Sequence, residues 1–234
     1  MVMCSKEDFK NGFKRNGRAK PIQHTIVNPA SDTVITRVGC VVLTLNEEIF
    51  IEDCVRHVKA YTDWLLVSDG GSTDATVDIA RRIAGHVVIR PFSGSFAAER
   101  NIAQQHLPPH INWVLMVDAD ERFNLEFLKN IKGIIARNSV DCFRFPRVNT
   151  DKTYIQKLIN KQDHQVRLYK RSECYWVRQV HEILWHERAN KPADQYSVLE
   201  LSQYPILHLK RVKDRRKAIL DRWKRLEKEQ TLTS

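Results

Sequence analysis

The stretch Trp113-Val-Leu-Met-Val-Asp-Ala-Asp-Glu121 decides how this chain folds. It is an apolar run typical of a buried β-strand, and it ends abruptly in two carboxylates, Asp118 and Asp120. Side chains of an extended chain alternate between faces, so these two aspartates are predicted to point the same way from the strand end. Carboxylate oxygens suit Mg²⁺ or Mn²⁺, which fills its remaining positions with water and phosphate oxygens. The plainer interpretation is a polar turn after a core strand.

Two preceding segments have the same form, an apolar strand that ends in polar residues. Val38–Glu48 runs from a predicted strand into a polar cluster, and a helical pattern follows it. Trp64–Asp69 is a second predicted strand, after which two glycines allow a tight turn. Ser72 or Thr73 is predicted to cap the helix that runs from this turn to about Ala84. These repeated strand-to-helix units favour a ligand site over a plain turn.

A short strand, His86–Ile89, and a loop lead to the helical segment Phe96–Ala103, which carries Arg100 toward the Asp118 strand. Alternating strands and helices predict an α/β fold with a Rossmann-like, mainly parallel central sheet flanked by helices. Such sheets bind ligands beyond the carboxyl ends of their strands, so four polar clusters are expected to meet in one crevice. The chain has neither Gly-x-Gly-x-x-Gly after its first strand nor a P-loop sequence, which argues against dinucleotide-binding domains and P-loop NTPases.

The polar clusters, in their order and spacing, resemble the nucleotide-sugar-binding half of family 2 glycosyltransferases with the GT-A fold. The motifs that carry this likeness are Thr44-Leu-Asn-Glu47, Asp69-Gly-Gly-Ser-Thr-Asp74, Arg100-Asn101 and Val117-Asp-Ala-Asp-Glu-Arg122. A fainter likeness to the acceptor half of small bacterial enzymes that glucosylate lipopolysaccharide core rests on Gln165-Val-Arg-Leu-Tyr169, Val180-His-Glu182 and Leu207-His208.

The resemblance implies a site for a nucleotide-sugar donor, with a UDP-sugar as the expected type. Asp69 would accept the hydrogen of uracil N3, since a carboxylate is a suitable acceptor for an imide donor. The residues expected near the nucleoside are Thr44, Asn46 and Glu47. The alternative for Asp69 is a residue that only shapes its turn.

The resemblance also implies a divalent cation, Mn²⁺ or Mg²⁺, beside the donor diphosphate. Asp120 would ligate the metal directly, and Asp118 would approach the ribose and the metal-bound waters. Arg100 would lie near the pyrophosphate or these carboxylates, with an exposed helix arginine as the alternative. His208, at the end of a strand-like run, is a further candidate for a metal or phosphate contact, although a histidine there can also be structural.

Transfer needs a base that removes the acceptor proton, and Glu182 is the favoured candidate. It stands where many relatives carry an acidic pair, whereas this chain has His181-Glu182. Two alternatives therefore stay open: Glu182 acts alone, or His181 contributes to metal or phosphate binding. Asp163 is a remoter base candidate. An inverting single displacement follows from the family likeness.

Length and composition agree with one enzyme domain of 234 residues, of which 42% are hydrophobic. The predicted organisation is an extension (1–36), a GT-A domain (37–209) with donor (37–123) and acceptor (124–209) halves, and a basic helix and tail (210–234). Neither a signal-peptide core nor an apolar run long enough to span a bilayer is found. The five cysteines are scattered, which favours a reducing cytosol.

The chain carries a formal net charge of +10, with a dense basic run from Lys210 to Gln230. This segment is predicted to be a helix, either one whose basic residues hold an anionic acceptor or one with a solvated face. The residues predicted to hold the acceptor are Lys210, Arg211, Lys213, Arg215, Arg216 and Lys217. The leading hypothesis is a glycosyltransferase acting on lipopolysaccharide core or another surface glycan, with peripheral contact at the inner membrane face. Two alternatives remain: a bacteriophage-type transferase acting on hydroxymethylated DNA bases, and a basic binding module without catalysis.

Overall fold

The computed structural model describes residues 35–150 and 163–209. Residues 1–34 of the predicted extension and the whole predicted basic segment 210–234 lie outside these ranges. The α-helices of the described part are α1 (Ile51–Lys59), α2 (Thr76–Ile83), α3 (Phe96–Gln105) and α4 (Leu125–Ala136). The strands are β1 (Val38–Thr44), β2 (Trp64–Asp69), β3 (Val87–Ile89), β4 (Trp113–Asp118), β5 (Glu121–Arg122), β6 (Cys142–Thr150), β7 (Asp163–Lys170), β8 (Cys174–Val177), β9 (Ile183–His186), β10 (Lys191–Pro192), β11 (Val198–Glu200) and β12 (Ile206–Leu209).

The central sheet has the strand order β3-β2-β1-β4-β7-β6-β12-β5, and β11 pairs with β6. The strands β3, β2, β1 and β4 are mutually parallel, and β11 and β12 run parallel to β6. The strand β7 joins the two parts through antiparallel pairing on both of its sides. The predicted α/β fold with a mainly parallel sheet is therefore confirmed.

The core lies on both faces of this sheet, as the alternation of buried side chains in β1 requires. Val38, Cys40 and Val42 pack in one hydrophobic cluster with residues of α1, α2 and α4. Val41 belongs to a second cluster, which includes residues of α3. A strand that is apolar on both faces is what a covered parallel sheet demands. The helix α3 thus stands on the opposite face from α1.

A second, three-stranded sheet in the order β10-β9-β8 adjoins α3. Cys174, Trp176 and Leu184 of this small sheet are buried in the same cluster as the apolar residues of α3. The segment between β8 and β9 contains Glu182 and is linked to α3, because the Phe96 backbone N–H donates to the Gln179 carbonyl at 2.9 Å. No helix within the two described ranges has the length and apolarity to cross a bilayer.

The prediction that Ser72 or Thr73 caps the second helix is wrong. The helix α2 begins at Thr76 with Ala75 at its N-cap, and no side chain caps it there. Ser72 is instead engaged in the turn after β2, where its backbone N–H donates to Asp69 at 2.7 Å. The predicted strand at 86–89 begins one residue later, at Val87. The preceding residue, His86, stacks its ring on Trp64 with centroids 4.0 Å apart.

Candidate active site

The carboxyl ends of β1, β2 and β4 lie side by side at one edge of the central sheet. In the parallel ladders Thr44 is the partner of Asp69, and Leu43 is the partner of Asp118. The polar segments that follow these three strands therefore begin at the same level. The predicted convergence of these segments at one sheet edge is present in the structure.

Asn46 connects the segment after β1 to the turn after β2. Its backbone adopts a left-handed conformation with φ 57°, which asparagine tolerates better than most residues. Its N–H donates to Ser72 Oγ at 2.7 Å, and its Oδ1 accepts from the Thr73 backbone N–H at 2.8 Å. The next residue, Glu47, donates its N–H to Thr76 Oγ1 at 2.7 Å. These bonds fix the predicted nucleoside-binding segment against α2.

Asp69 is 1% exposed, and its carboxylate accepts hydrogen bonds from its own turn. Oδ1 accepts from the backbone N–H groups of Gly71 at 2.9 Å and Ser72 at 2.7 Å, and Oδ2 accepts from Ser72 Oγ at 2.5 Å. Gly71 has φ 89°, a conformation that favours glycine. Asp69 thus shapes the turn, as its alternative interpretation expected, while Oδ2 keeps a lone pair for a ligand donor. Thr44 Oγ1 is also buried, without a hydrogen-bond partner in the described part of the chain.

A buried guanidinium joins the donor motif to the acceptor segment. Arg100, on α3, is 3% exposed, so its alternative interpretation as an exposed helix residue is wrong. Its Nη1 lies 3.0 Å from Asp118 Oδ1, and its Nη2 donates to Asp118 Oδ2 at 3.2 Å. On its other side, Nε and Nη2 lie 2.9 and 2.7 Å from Glu182 Oε1. Asp118, at the end of β4, and Glu182, just before β9, are therefore held by the same side chain.

A second buried guanidinium, that of Arg167 on β7, also contacts Asp118. It donates to both carboxylate oxygens of Glu121 at 3.0 and 2.9 Å, and its Nη2 also lies 3.0 Å from Asp118 Oδ2. Glu121 Oε2 in turn accepts from the Asp118 backbone N–H at 3.2 Å. The sequence analysis assigned no role to Arg167 or Glu121. The available signal was a lone arginine between apolar neighbours in a strand, which requires a buried anion.

These contacts decide the charge state of the two central carboxylates. Burial raises the pKa of Asp118, but the guanidinium groups of Arg100 and Arg167 outweigh it and hold the pKa well below its ordinary value. Burial likewise raises the pKa of Glu182, and Arg100 brings the net pKa below the ordinary value. Both side chains are therefore ionised at neutral pH, and Glu182 is in the form that can accept a proton.

Asp120 lies beside His208, two members of the predicted metal set, whereas both oxygens of the third member, Asp118, face arginines. His208 Nε2 is 3.2 Å from Asp120 Oδ2, and His208 Nδ1 is 2.7 Å from Asn149 Oδ1. Burial lowers the pKa of His208, but the contact with Asp120 raises it above its ordinary value. If Nδ1–H donates to Asn149, loss of the Nε2 proton would leave that nitrogen free for a cation.

The donor set fits a divalent cation that takes few ligands from the protein. Within 35–150 and 163–209, no group of three or more histidine, cysteine, aspartate or glutamate side chains is close enough to hold a metal ion. Both oxygens of Asp118 already face arginines. Asp120 and His208 are the side chains that could serve, with phosphate oxygens and water completing the shell as Mg²⁺ commonly requires.

The other base candidates lie in different surroundings. Asp163, the first residue of β7, is bound by Arg147 through Nε at 2.9 Å and accepts from Gln165 at 2.8 Å. His181 is exposed and has a left-handed backbone with φ 52°, directly before Glu182. Such conformations in residues other than glycine cluster at functional sites. Glu182 reaches Asp118 through the one guanidinium of Arg100. Asp163 is linked to the same network through Arg147, whose Nη1 is 3.9 Å from Glu121 Oε1.

Comparison with known proteins agrees with this geometry. Residues 40–194, well over half of the chain, match the family model described as Glycosyl transferase family 2. An uncharacterized glycosyltransferase of Rickettsia typhi is 32% identical over 105 residues, which are 45% of this chain and 35% of that protein. A counterpart in Rickettsia conorii is also 32% identical over 105 residues and is covered to 36%. The chain thus spans about a third of the length of the curated relatives it matches.

Among solved structures, S. aureus TarS 1-349 in complex with UDP-GlcNAc resembles the chain with a TM-score of 0.53 and 17% identity. The match covers 76% of this chain and 60% of that one. The complex of the same protein with UDP gives a TM-score of 0.50 at 18% identity, over 75% of this chain and 61% of that one. This likeness is one of fold, and it confirms the expected GT-A architecture.

Proposed function

The chain belongs to glycosyl transferase family 2, and on that premise we propose that it moves a sugar from a UDP-sugar to a hydroxyl group of an anionic acceptor, with inversion at the anomeric carbon. One observation carries the proposal. Arg100 holds Asp118 of the donor motif and Glu182 of the acceptor segment on one buried guanidinium. The two carboxylates are therefore neighbours, which supports a donor-side role for Asp118 and the role of base for Glu182.

The donor nucleotide would bind at the ends of β1 and β2. Asp69 Oδ2 has the capacity to accept the imide hydrogen of uracil, since Ser72 Oγ supplies only one donor to it. The buried Thr44 hydroxyl, which has no hydrogen-bond partner among residues 35–150 and 163–209, is a second group that a nucleoside could satisfy, with Asn46 and Glu47 beside it. TarS, which shares the fold, binds UDP and UDP-GlcNAc, and a UDP-sugar is proposed here on that likeness.

In the transfer step, the Glu182 carboxylate removes the proton of the acceptor hydroxyl. The acceptor oxygen then forms a bond to the anomeric carbon from the face opposite the diphosphate. The bond between that carbon and the diphosphate oxygen breaks, and UDP departs with the electron pair. The depressed pKa keeps Glu182 ionised before the step, while contact with Arg100 limits its basicity.

Asp120 and His208 would hold the divalent cation, Mn²⁺ or Mg²⁺. When bound, the cation supplies positive charge that stabilises the departing diphosphate. Asp118 has a different role in this arrangement, because its oxygens are committed to Arg100 and Arg167. It would accept from the ribose or from ordered waters near the donor.

The acceptor is proposed to be anionic because the chain carries a formal net charge of +10. A phosphorylated lipopolysaccharide core or another surface glycan has the required charge and hydroxyl groups, and contact with a membrane surface would then follow. If the protein instead bound hydroxymethylated DNA in a salt-sensitive way and did not bind such a glycan, the acceptor would be assigned as DNA.

The base assignment is tested by Glu182→Gln in an assay that measures UDP release from UDP-sugars with Mn²⁺. We expect turnover to fall by about 10² to 10⁴, the range usual for loss of a general base. The dissociation constant for UDP should change by less than about twofold, because Glu182 contacts Arg100 and not the predicted nucleoside pocket.

Glu187→Gln is the matched control, since Glu187 is exposed just after β9 on the same small sheet. Its turnover should equal that of the parent. Near-normal turnover in Glu182→Gln would contradict the assignment and move the role to Asp163 or to water.

The metal assignment is tested by calorimetric titration of UDP in Mn²⁺ and in EDTA. Mn²⁺ should tighten UDP binding, and Asp120→Asn should remove most of that gain because it takes away a carboxylate ligand. Asp78→Asn, an exposed position on α2, should leave the gain intact. Equal UDP affinity of the parent in Mn²⁺ and EDTA would refute the metal site.

A further inference from the structure

Trp176, on β8, is tied to α3 in two ways, directly by Asn101 and through the Tyr169 hydroxyl by Gln104. Its backbone N–H donates to Asn101 Oδ1 at 2.8 Å, and its carbonyl accepts from Asn101 Nδ2 at 2.8 Å. Its indole Nε1–H donates to the Tyr169 hydroxyl at 3.0 Å, and that hydroxyl donates to Gln104 Oε1 at 2.9 Å. The side chain is 4% exposed. Both its backbone and its ring plane are therefore fixed relative to α3.

The face of this indole lies against the guanidinium of Arg100. The guanidinium carbon is 5.0 Å from the ring centroid, within the range of a cation–π contact. A guanidinium donates hydrogen bonds from its edge and stacks through its face, so the two types of contact are compatible. The edge of Arg100 is occupied by Asp118 and Glu182. The indole contacts the face of the same guanidinium.

We propose that Trp176 is a positioning residue of the transfer reaction, which holds the Arg100 plane at the angle where one guanidinium binds Asp118 and Glu182 together. The proposal rests on the proposed function, in which Glu182 is the base. Within the described residues, Trp176 makes no hydrogen bond to Asp118 or Glu182, so its effect on them passes through Arg100. Asn101 and Tyr169 fix the indole from two directions and explain why the ring can resist rotation of the guanidinium.

The first test compares Trp176→Leu with Trp176→Phe in the UDP-release assay with Mn²⁺. Trp176→Leu removes the aromatic face, and we expect kcat to fall about tenfold, which corresponds to about 1.4 kcal/mol. The KM for the UDP-sugar should change less than about threefold, since the nucleoside pocket is untouched. Trp176→Phe keeps an aromatic face and should retain kcat within about threefold of the parent.

A double-mutant cycle with Arg100→Lys separates positioning from a structural role. If Trp176 acts through the guanidinium, Trp176→Leu should lower kcat by less than about twofold once Arg100 is lysine. If Trp176→Leu only destabilised the fold, it would lower kcat by the same factor in the parent and in Arg100→Lys. Additive effects in this cycle would overturn the proposal.

Trp113→Leu is the matched control, because Trp113 is 5% exposed and also carries a cation–π contact, with Lys170 at 5.9 Å. It stands at the opposite end of β4 from Asp118, about 16 Å away at the usual rise per residue. It should lower the thermal midpoint and leave kcat unchanged in the remaining folded protein. If Trp176→Leu does not fold, Trp176→Met, which is unbranched and large, replaces it in the cycle.

Failure of this proposal differs from failure of the proposed function. Parental kcat in both Trp176→Leu and Trp176→Met would overturn the positioning role alone. Near-normal turnover in Glu182→Gln would overturn the base assignment. If the effects of the Trp176 and Arg100 variants were still coupled, Trp176 would position Arg100, but not for a base at Glu182. Absence of UDP release by the parent with every UDP-sugar would overturn both.

Discussion

The turns after β1 and β2 and the charge network between α3, β4 and β7 meet at the same sheet edge but are stabilised in different ways. The turns use short hydrogen bonds between neighbouring segments, such as Asp69 with Ser72 three residues later. The network uses charged groups far apart in the chain, Arg100 with Glu182 82 residues later and Asp118 with Arg167 49 residues later. The bonds from Asp69 within its own turn therefore follow from nearby sequence. The bonds from Asn46 to Ser72 and Thr73, like the charge network, exist only in the folded domain.

The energetic consequences also differ. A turn residue that is removed leaves a few backbone N–H groups to find water, because the loop is partly exposed. A residue removed from the network leaves a buried charge without its partner, which is far more costly. Three substitutions, ordered by expected effect on the free energy of unfolding, test this contrast.

Arg167→Met should give the largest loss. It takes from Glu121, which is 1% exposed, the guanidinium that binds both of its carboxylate oxygens, and Arg147 Nη1 stays 3.9 Å from Oε1. The expected loss of stability is about 3–5 kcal/mol. Urea denaturation followed by far-UV circular dichroism measures it. Arg144→Met is the control: its pair with Glu200 has side chains 31% and 32% exposed, and its loss should be about 1 kcal/mol or less. Equal losses of stability would show that breaking the buried Arg167–Glu121 pair costs no more than breaking the partly exposed Arg144–Glu200 pair.

Asp69→Ala should give an intermediate loss of about 1–3 kcal/mol. The backbone N–H groups of Gly71 and Ser72 lose their shared acceptor in this variant. The same denaturation assay applies, with Asp78→Ala on the exposed face of α2 as control. A loss as large as that of Arg167→Met would erase the distinction between the turn and the network.

Asn46 allows the smallest and most specific test. Asn46→Ala and Asn46→Gly both remove the bond to Thr73, but only glycine adopts φ 57° without strain. The alanine variant should therefore be less stable than the glycine variant by about 1 kcal/mol, the lower end of the cost of a left-handed residue. Identical stabilities would mean that the backbone at Asn46 relaxes once its side chain is gone.

Much of the fold could be predicted from periodic apolar runs. The strands that became β1, β2 and β4 and the helix α3 were anticipated within a few residues because each has a strong pattern and a polar end. The helix α2 was placed several residues too early. Ser72 and Thr73 are good capping residues in isolation, but Ser72 is bonded to Asp69 and to Asn46 instead. A local preference was overridden by competing tertiary and turn contacts.

The sequence predicted which residues belong to the candidate site better than it predicted their contacts. The sequence indicated that Asp118, Arg100 and Glu182 belong to one site through the family likeness, and the structure brings them together. It could not indicate that both oxygens of Asp118 are held by arginines, or that Arg167 from β7 is one of them. An arginine in an apolar strand indicates that a buried anion contacts it, but not which residue supplies that anion.

The sequence by itself determined the alternating strands and helices from β1 to β4, the sheet edge where three of these strands end, and the tight turn that Gly70 and Gly71 allow after β2. These follow from steric preferences and from alternation of apolar and polar side chains, which act over a few residues. The tertiary structure alone decided which charges face each other, since β7 enters the sheet beside β4 and α3 packs on the small sheet. Buried ions are stable only with partners, and those partners come from chain segments that only folding brings together.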